Sequence, residues 1–231
     1  TGTNFGGFEV DGPGSVFGTV NLNRPAGSYT VSYSTGGNAV ELLGGLNFSP
    51  GNELNFWFSS SSKMIVHGSV VDNATSSFNG FGSLEIYPDF TLNGTMNIDY
   101  GSVILHGFFH TMATSTINIS SGSLVCDFSA PYNWMFMDGH LSMSGGVFEL
   151  THSNFNLNNT ATTAISGGVI RASGAFGAYS PGTFQPTGGT VELGSSLANY
   201  IIATDPSCYF HNLTINHAPG GSNNVLSEIT V

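Results

Sequence analysis

The sequence predicts an all-β, single-stranded, right-handed parallel β-helix: a solenoid of about ten coils with about 22 residues per coil. Three observations predict it. A glycine-marked bend recurs at nearly constant spacing, a strict apolar/polar alternation follows each bend, and the composition is rich in Gly, Ser, Thr and Asn but poor in charge. Alternation of period two denotes a half-buried strand, because successive side chains point to opposite faces. A paired glycine before it denotes a sharp turn or a close backbone neighbour.

The bends come first. SGGVFEL begins at Ser144, SGGVIRA at Ser166 and TGGTVEL at Thr187, 22 and 21 residues apart. Counted from the second glycine, positions +2 and +4 are apolar: Phe148/Leu150, Ile170/Ala172 and Val191/Leu193. The phase extends forward to Leu213/Ile215. It extends backward through Leu124/Cys126, Val103/Leu105, Leu84/Ile86, Met64/Val66 and Val40/Leu42. These residues form the expected core ladder. Leucine-rich repeats overlap in length but carry an asparagine ladder and a helical half, both missing from this pattern; helical repeats need segments of period 3.6. Ten coils stacked at the strand spacing make a rod about 48 Å long, and the crossover rule favours a right-handed coil.

Composition sets the boundaries. Of 231 residues, 32 are Gly and three are Lys or Arg; charged residues make up 7% and hydrophobic ones 40%, which excludes disorder. A net charge of −11, with Arg24, Lys63 and Arg171 far apart, opposes nucleic-acid binding. No apolar run approaches the roughly 20 residues that cross a membrane. A continuous repeat predicts one elongated domain over residues 1–231. The start TGTNFGG lacks Met and a signal pattern, and NVLSEITV still alternates at the end. The chain therefore reads as a segment of a larger protein. Cys126 and Cys208 lie nearly four coils apart, about 19 Å along the rod, beyond the reach of a disulfide. Cys126 is expected as a buried free thiol.

Residues 166–217, with SGGVIRASGAFGAYSPGTFQPTGGTVELGSS followed by YIIATDPSCYFHNLTINHA, resemble repeats of large secreted and cell-surface proteins of Bacteroidota. Those repeats carry GTFxPTGGTVEL-like and FxNLTIN-like strands. The resemblance implies a parallel β-helix, export across the outer membrane, and an adhesive or structural role. It implies no catalytic residue.

Candidate chemistry lies on the outward positions. Position +3 reads Glu41, Ile65, Glu85, Ile104, Val125, Glu149, Arg171, Glu192 and Thr214 down the stack. Glu149, Arg171 and Glu192 form a surface charge ladder rather than an acid/base pair for sugar chemistry. Ile65, Ile104 and Val125 are expected under internal cover, with a partner-binding strip as the alternative. Seven Asp stand singly with no calcium repeat, and the few basic residues ill suit acidic sugars, so an enzyme is not expected. HGFFH (His106, His110) has helical zinc spacing on a segment that reads as strand, and Tyr87 separates His67 from His106 at position +5; no metal or cofactor is expected. In APYNWMFMDGH, Tyr132, Trp134 and Phe136 share one face and Met135 and Met137 the other. LNFWFSS sets Trp57 opposite Phe56 and Phe58. These aromatics are expected in the core, with Tyr132 and Trp134 the candidates for a glycan site. Positions +1 and +3 show no regular threonine array, which argues against ice binding.

The expected function is a non-enzymatic, extracellular stalk, spacer or adhesive surface of a large bacterial protein. Its partners would be the rest of its own large polypeptide and surface glycans or other cell-surface proteins, with no nucleic acid and no direct membrane insertion. A glycan-binding module is the alternative, and a polysaccharide lyase or hydrolase the third reading.

Overall fold

The computed structural model describes residues 6–9, 16–22, 27–33, 39–48, 52–58, 60, 62–128, 133–151, 153–178, 180–195, 199–203, 205–217 and 223–225. They build an all-β parallel solenoid with three walls, here called ladders A, B and C in the order in which each turn visits them. Ladder A stacks Val16–Phe17, Ala39–Leu42, Lys63–Val66, Ser83–Ile86, Ser102–Leu105 and Ser123–Asp127. It continues through the second halves of His140–Thr151 and Thr162–Ala172 to Thr190–Ser195 and Leu213–His217. Ladder B runs from Val20–Leu22 through Phe90–Leu92, Asn133–Met137 and Phe176–Ala178 to Asn223–Val225. Ladder C stacks Gly6–Glu9, Gly27–Tyr33, Asn52–Phe58, Thr75–Phe78, Thr95–Ile98 and Thr116–Ile119, then the first halves of His140–Thr151 and Thr162–Ala172. About seven turns carry all three walls, fewer than the ten coils expected. The later turns keep ladders A and B but close the third wall without a strand.

The glycine pairs mark the bend from C to A. A Cβ on Gly188 would lie 2.2 Å from the Ser166 carbonyl oxygen, and Gly189 has φ +81°. The first glycine admits the backbone of the turn below, and the second takes a left-handed conformation that a side chain disfavours. Behind the bend, the register runs Val103↔Leu124↔Phe148↔Ile170↔Val191, as the phase of the repeat requires.

One apolar cluster fills the interior. Every inward residue expected of ladder A from Val40 to Leu193 is buried. Leu213 is partly buried against the cluster, while Ile215 is 37% exposed, contrary to expectation; both stand on the last described strand of this ladder. Ladders B and C add stacked rings: Phe90 on Phe109 (5.5 Å between centroids, 8° between planes) and Phe56 on Phe78 (4.7 Å, 5°). Identical residues stack because consecutive rungs present one inward position at one strand spacing. Cys126 and Cys208 are buried free thiols, and burial pushes the Cys126 thiol far up.

Two positions of one inward column of ladder B break the apolar rule. Asp72 and Thr111 occupy the column otherwise held by Leu92, Met137 and Leu157. Both serve the bend from B to C. The Asp72 carboxylate accepts the Ala74 N–H (3.0 Å) and the Ser76 hydroxyl (2.7 Å); the Thr111 hydroxyl accepts the N–H groups of Asp138 (3.0 Å) and Gly139 (3.2 Å). Leaving such a buried N–H unpaired would cost about 1–3 kcal/mol, which these acceptors offset.

Candidate functional site

The outer column of ladder A holds Glu41, Ile65, Glu85, Ile104, Val125, Glu149, Arg171, Glu192 and Thr214 in unbroken register. Arg171 Nε donates to Glu192 Oε2 at 2.6 Å, and its Nη1 lies 3.7 Å from Glu149 Oε2. The hydrogen bond from Arg171 to Glu192 holds the guanidinium above its ordinary pKa, against a small burial effect. All three side chains are about a third or more exposed. Lys63 Nζ pairs with Glu85 Oε1 at 2.7 Å, between Ile65 and Ile104 on the column. Ile65, Ile104 and Val125 are half-buried.

Beside them, position +5 carries a ring stack. His67 lies 5.3 Å from Tyr87, and Tyr87 lies 4.3 Å from His106, with planes 25° and 26° apart. Glu41, Glu85 and Asp127 stand 3.4–3.8 Å from these imidazoles. The faces of Tyr87 are occupied by its neighbours, which leaves edges rather than a platform for a sugar. Among the described residues, no group of three His, Cys, Asp or Glu could hold a metal ion.

On ladder B, Tyr132 lies outside the described residues. Trp134 stands opposite Asn154 in register, but its side chain is outside the description. Met135 and Met137 point inward and are fully buried, whereas Phe136 is 36% exposed, so the core expectation for this aromatic face fails at Phe136. Alternation assigns the interior to one face, and flexible methionines fill it. Nearby, Asp138 bridges three turns. His110 Nε2 lies 2.9 Å from its Oδ2, while Asn158 and Thr160 donate to its Oδ1 at 2.9 and 3.1 Å. Burial would raise the Asp138 pKa, but these hydrogen bonds outweigh it and hold the carboxyl below its ordinary value. His106 and His110 thus serve different walls, the first near Glu85 and Asp127 and the second bonded to Asp138.

The outer face of ladder C was not legible in advance. Its columns read Thr75–Thr95–Thr116–His140–Thr162 and Ser77–Asn97–Asn118–Ser142–Ala164. Asn118 Nδ2 donates to Asn97 Oδ1 (2.7 Å), and Asn97 Nδ2 donates to Ser77 Oγ (3.0 Å), so the amides bind one another along the rod.

Where ladder C bends toward A, three rings stand out on successive turns. Trp57 lies near the end of Asn52–Phe58, and Phe81 and Tyr100 occupy the next two bends; they are 53%, 67% and 48% exposed. Phe81 and Tyr100 sit 5.2 Å apart with their planes tilted by 51°. Beside them, Asn79 Nδ2 donates to Asn55 Oδ1 at 3.3 Å and Ser120 Oγ to Asp99 Oδ1 at 2.7 Å. The core expectation for Trp57 is therefore corrected: Phe56 takes the interior and Trp57 the solvent. Comparison with protein-family models, with curated proteins and with solved structures yields no match.

Proposed function

We propose that this chain is a non-enzymatic, extracellular segment of a large bacterial surface protein of the Bacteroidota type, serving as stalk, spacer or adhesive surface. The observation that carries the reading is the continuous stack of parallel ladders around one apolar cluster, from Val40 to Phe210. Such a stack resists extension because every turn is bonded to the turns above and below it. Its outer groups are paired locally: Arg171 with Glu192, Lys63 with Glu85, His110 with Asp138. Large aromatic rings, Trp57, Phe81 and Tyr100 among them, are exposed, which suits a surface that also adheres. Partners would be the remainder of the polypeptide and surface glycans or proteins.

Single-molecule pulling tests the spacer role. Stepwise release of about one turn, on the order of 75 Å of chain per step, is the expected trace; collapse of the whole chain at low force overturns it. Incubation with polysaccharides tests the absence of catalysis, and release of new reducing or unsaturated ends would revive the enzyme reading.

The second reading, a glycan-binding module, is favoured by one observation, the exposed rings at the C-to-A bend.

A further inference from the structure

We propose that Trp57, Phe81 and Tyr100 form a contact for a neutral glycan chain lying along the rod at the bend from ladder C to ladder A. The inference rests on the adhesive reading above and names its ligand class and site.

These rings add nothing to the interior, yet each is a large, exposed aromatic near the C-to-A bend of one of three successive turns. Exposed apolar area of this kind marks an interaction site when it is contiguous. At one strand spacing per turn, the three positions span about 10 Å along the rod, roughly a disaccharide. Phe81 and Tyr100 are tilted against each other, whereas His67, Tyr87 and His106 stack face to face. A pyranose presents an apolar C–H face and a rim of hydroxyls. The rings suit the first, and the Asn79 amide, the Asp99 carboxylate and the Ser120 hydroxyl beside them suit the second.

Charge selects a neutral chain. The protein carries −11, and this bend adds Asp99. Lys63, which opens the following strand of ladder A, is engaged by Glu85. A polyanion would meet repulsion without compensation. Polarity selects a glycan over a protein. A stable protein interface buries about 800 Å² on each partner around an apolar centre, whereas here three rings stand among amide, carboxylate and hydroxyl groups.

The chain has two tryptophans, so Trp134→Phe leaves Trp57 as the single indole. Titration of that variant with soluble β-1,3-glucan, mannan and amylose oligosaccharides is the test. A saturable change in Trp57 emission with at least one of them is expected, and none with polygalacturonate. Phe81→Ser and Tyr100→Ser should each weaken it about tenfold. Affinity electrophoresis of the otherwise unaltered chain and of the same two substitutions repeats the comparison without touching Trp134. Binding that ignores Phe81 and Tyr100 but falls with Phe136→Ser overturns this site while the adhesive reading stands. Self-association through these rings, seen by sedimentation and lost in Phe81→Ser, also overturns it. Failure of the whole chain to retain any neutral glycan or any cell surface overturns both.

Discussion

The middle turns and the last turns close the same three-walled tube in different ways. Between Lys63 and Ile119, the third wall is a ladder of strands, Thr75–Phe78, Thr95–Ile98 and Thr116–Ile119, whose inward Phe78, Met96, Ile98, Ile117 and Ile119 meet the core. Beyond Ala172, residues 180–189 and 205–212 take that place without extended strands. Pro181, Pro186 and Pro206 lack the N–H that a ladder needs. Phe184 and Phe210 replace the wall with rings, 4.9 and 5.3 Å from Phe176 and 5.4 Å from each other. The hand-over occurs at Thr163, which follows Leu141 in the inward column of ladder C and donates to the Thr183 carbonyl at 2.7 Å. Ladders A and B thus suffice to stack the coil, and the third wall can be either bonded backbone or packed aromatic.

The largest test of that contrast is Phe176→Ala. Phe176 touches Phe155, Phe184 and Phe210, so its loss should cost about 3–5 kcal/mol. If turns couple mainly to their neighbours, hydrogen exchange should speed up over residues 176–217 and stay slow over 84–119. Uniform acceleration would show that the two regions unfold as one unit.

The buried carboxyl of Asp72 breaks the comparison in the other direction, because here the middle region carries the defect. Burial pushes its pKa from 3.8 up to about 6, although the Ser76 hydroxyl and the Ala74 N–H pull it down. The folded state therefore holds the proton more tightly than the unfolded chain. The stability from this group is fully present below pH 3.8 and is lost as the pH rises through about 6. The shift corresponds to a penalty of up to about 3 kcal/mol at neutral pH. Asp72→Asn should raise the urea midpoint at pH 8 and flatten the slope between pH 4 and 6. Asp138, whose carboxyl is held low, has the opposite sign: its stability is present above 3.8 and lost as the pH falls through its folded value.

These residues also show what the sequence could and could not disclose. Ladder A was legible because glycine pairs punctuate it and its inward residues alternate without exception from Val40 to Leu193. Asp72 and Thr111 were not, because each obeys the needs of a bend while sitting in a strand's inward position. The missing third wall was hidden as well, since GTFQPTGG keeps the period of 22 residues without keeping the strand. Phe81 and Tyr100 lie in bends, where alternation has no meaning and exposure cannot be read. Trp57 was readable in orientation, but an apolar residue in a repeat is ordinarily core, and that prior was wrong for the residue facing out.

The glycine pairs give a third, smaller effect that both regions share. Gly188→Ala sets a methyl against the Ser166 carbonyl, and Gly145→Ala sets one 2.1 Å from the Ser120 carbonyl. Each should cost about 1–3 kcal/mol, as overpacking does. If the aromatic plug is more pliable than the strand-built wall, Gly188→Ala will fall below Gly145→Ala in chemical denaturation. Equal costs would place the rigidity in ladder A alone.

The smallest effect belongs to the charge ladder, and it separates appearance from energetics. Arg171 has ideal contact with Glu192 at 2.6 Å and a second acid, Glu149, at 3.7 Å, yet all three side chains are more than a third exposed or close to it. Solvent and side-chain entropy offset most of the attraction, so Arg171→Gln should lower stability by only about 0–1 kcal/mol. Removing the cation also leaves two carboxylates on alternate rungs of one column. Salt therefore provides the sharper measurement, since screening weakens the pairs in the parent and the residual repulsion in the variant. The gap between parent and Arg171→Gln should shrink from low to high ionic strength. A gap that persists in high salt would mean that the aliphatic stem of Arg171, between the Glu149 and Glu192 rungs of the outer column, contributes by packing rather than by charge.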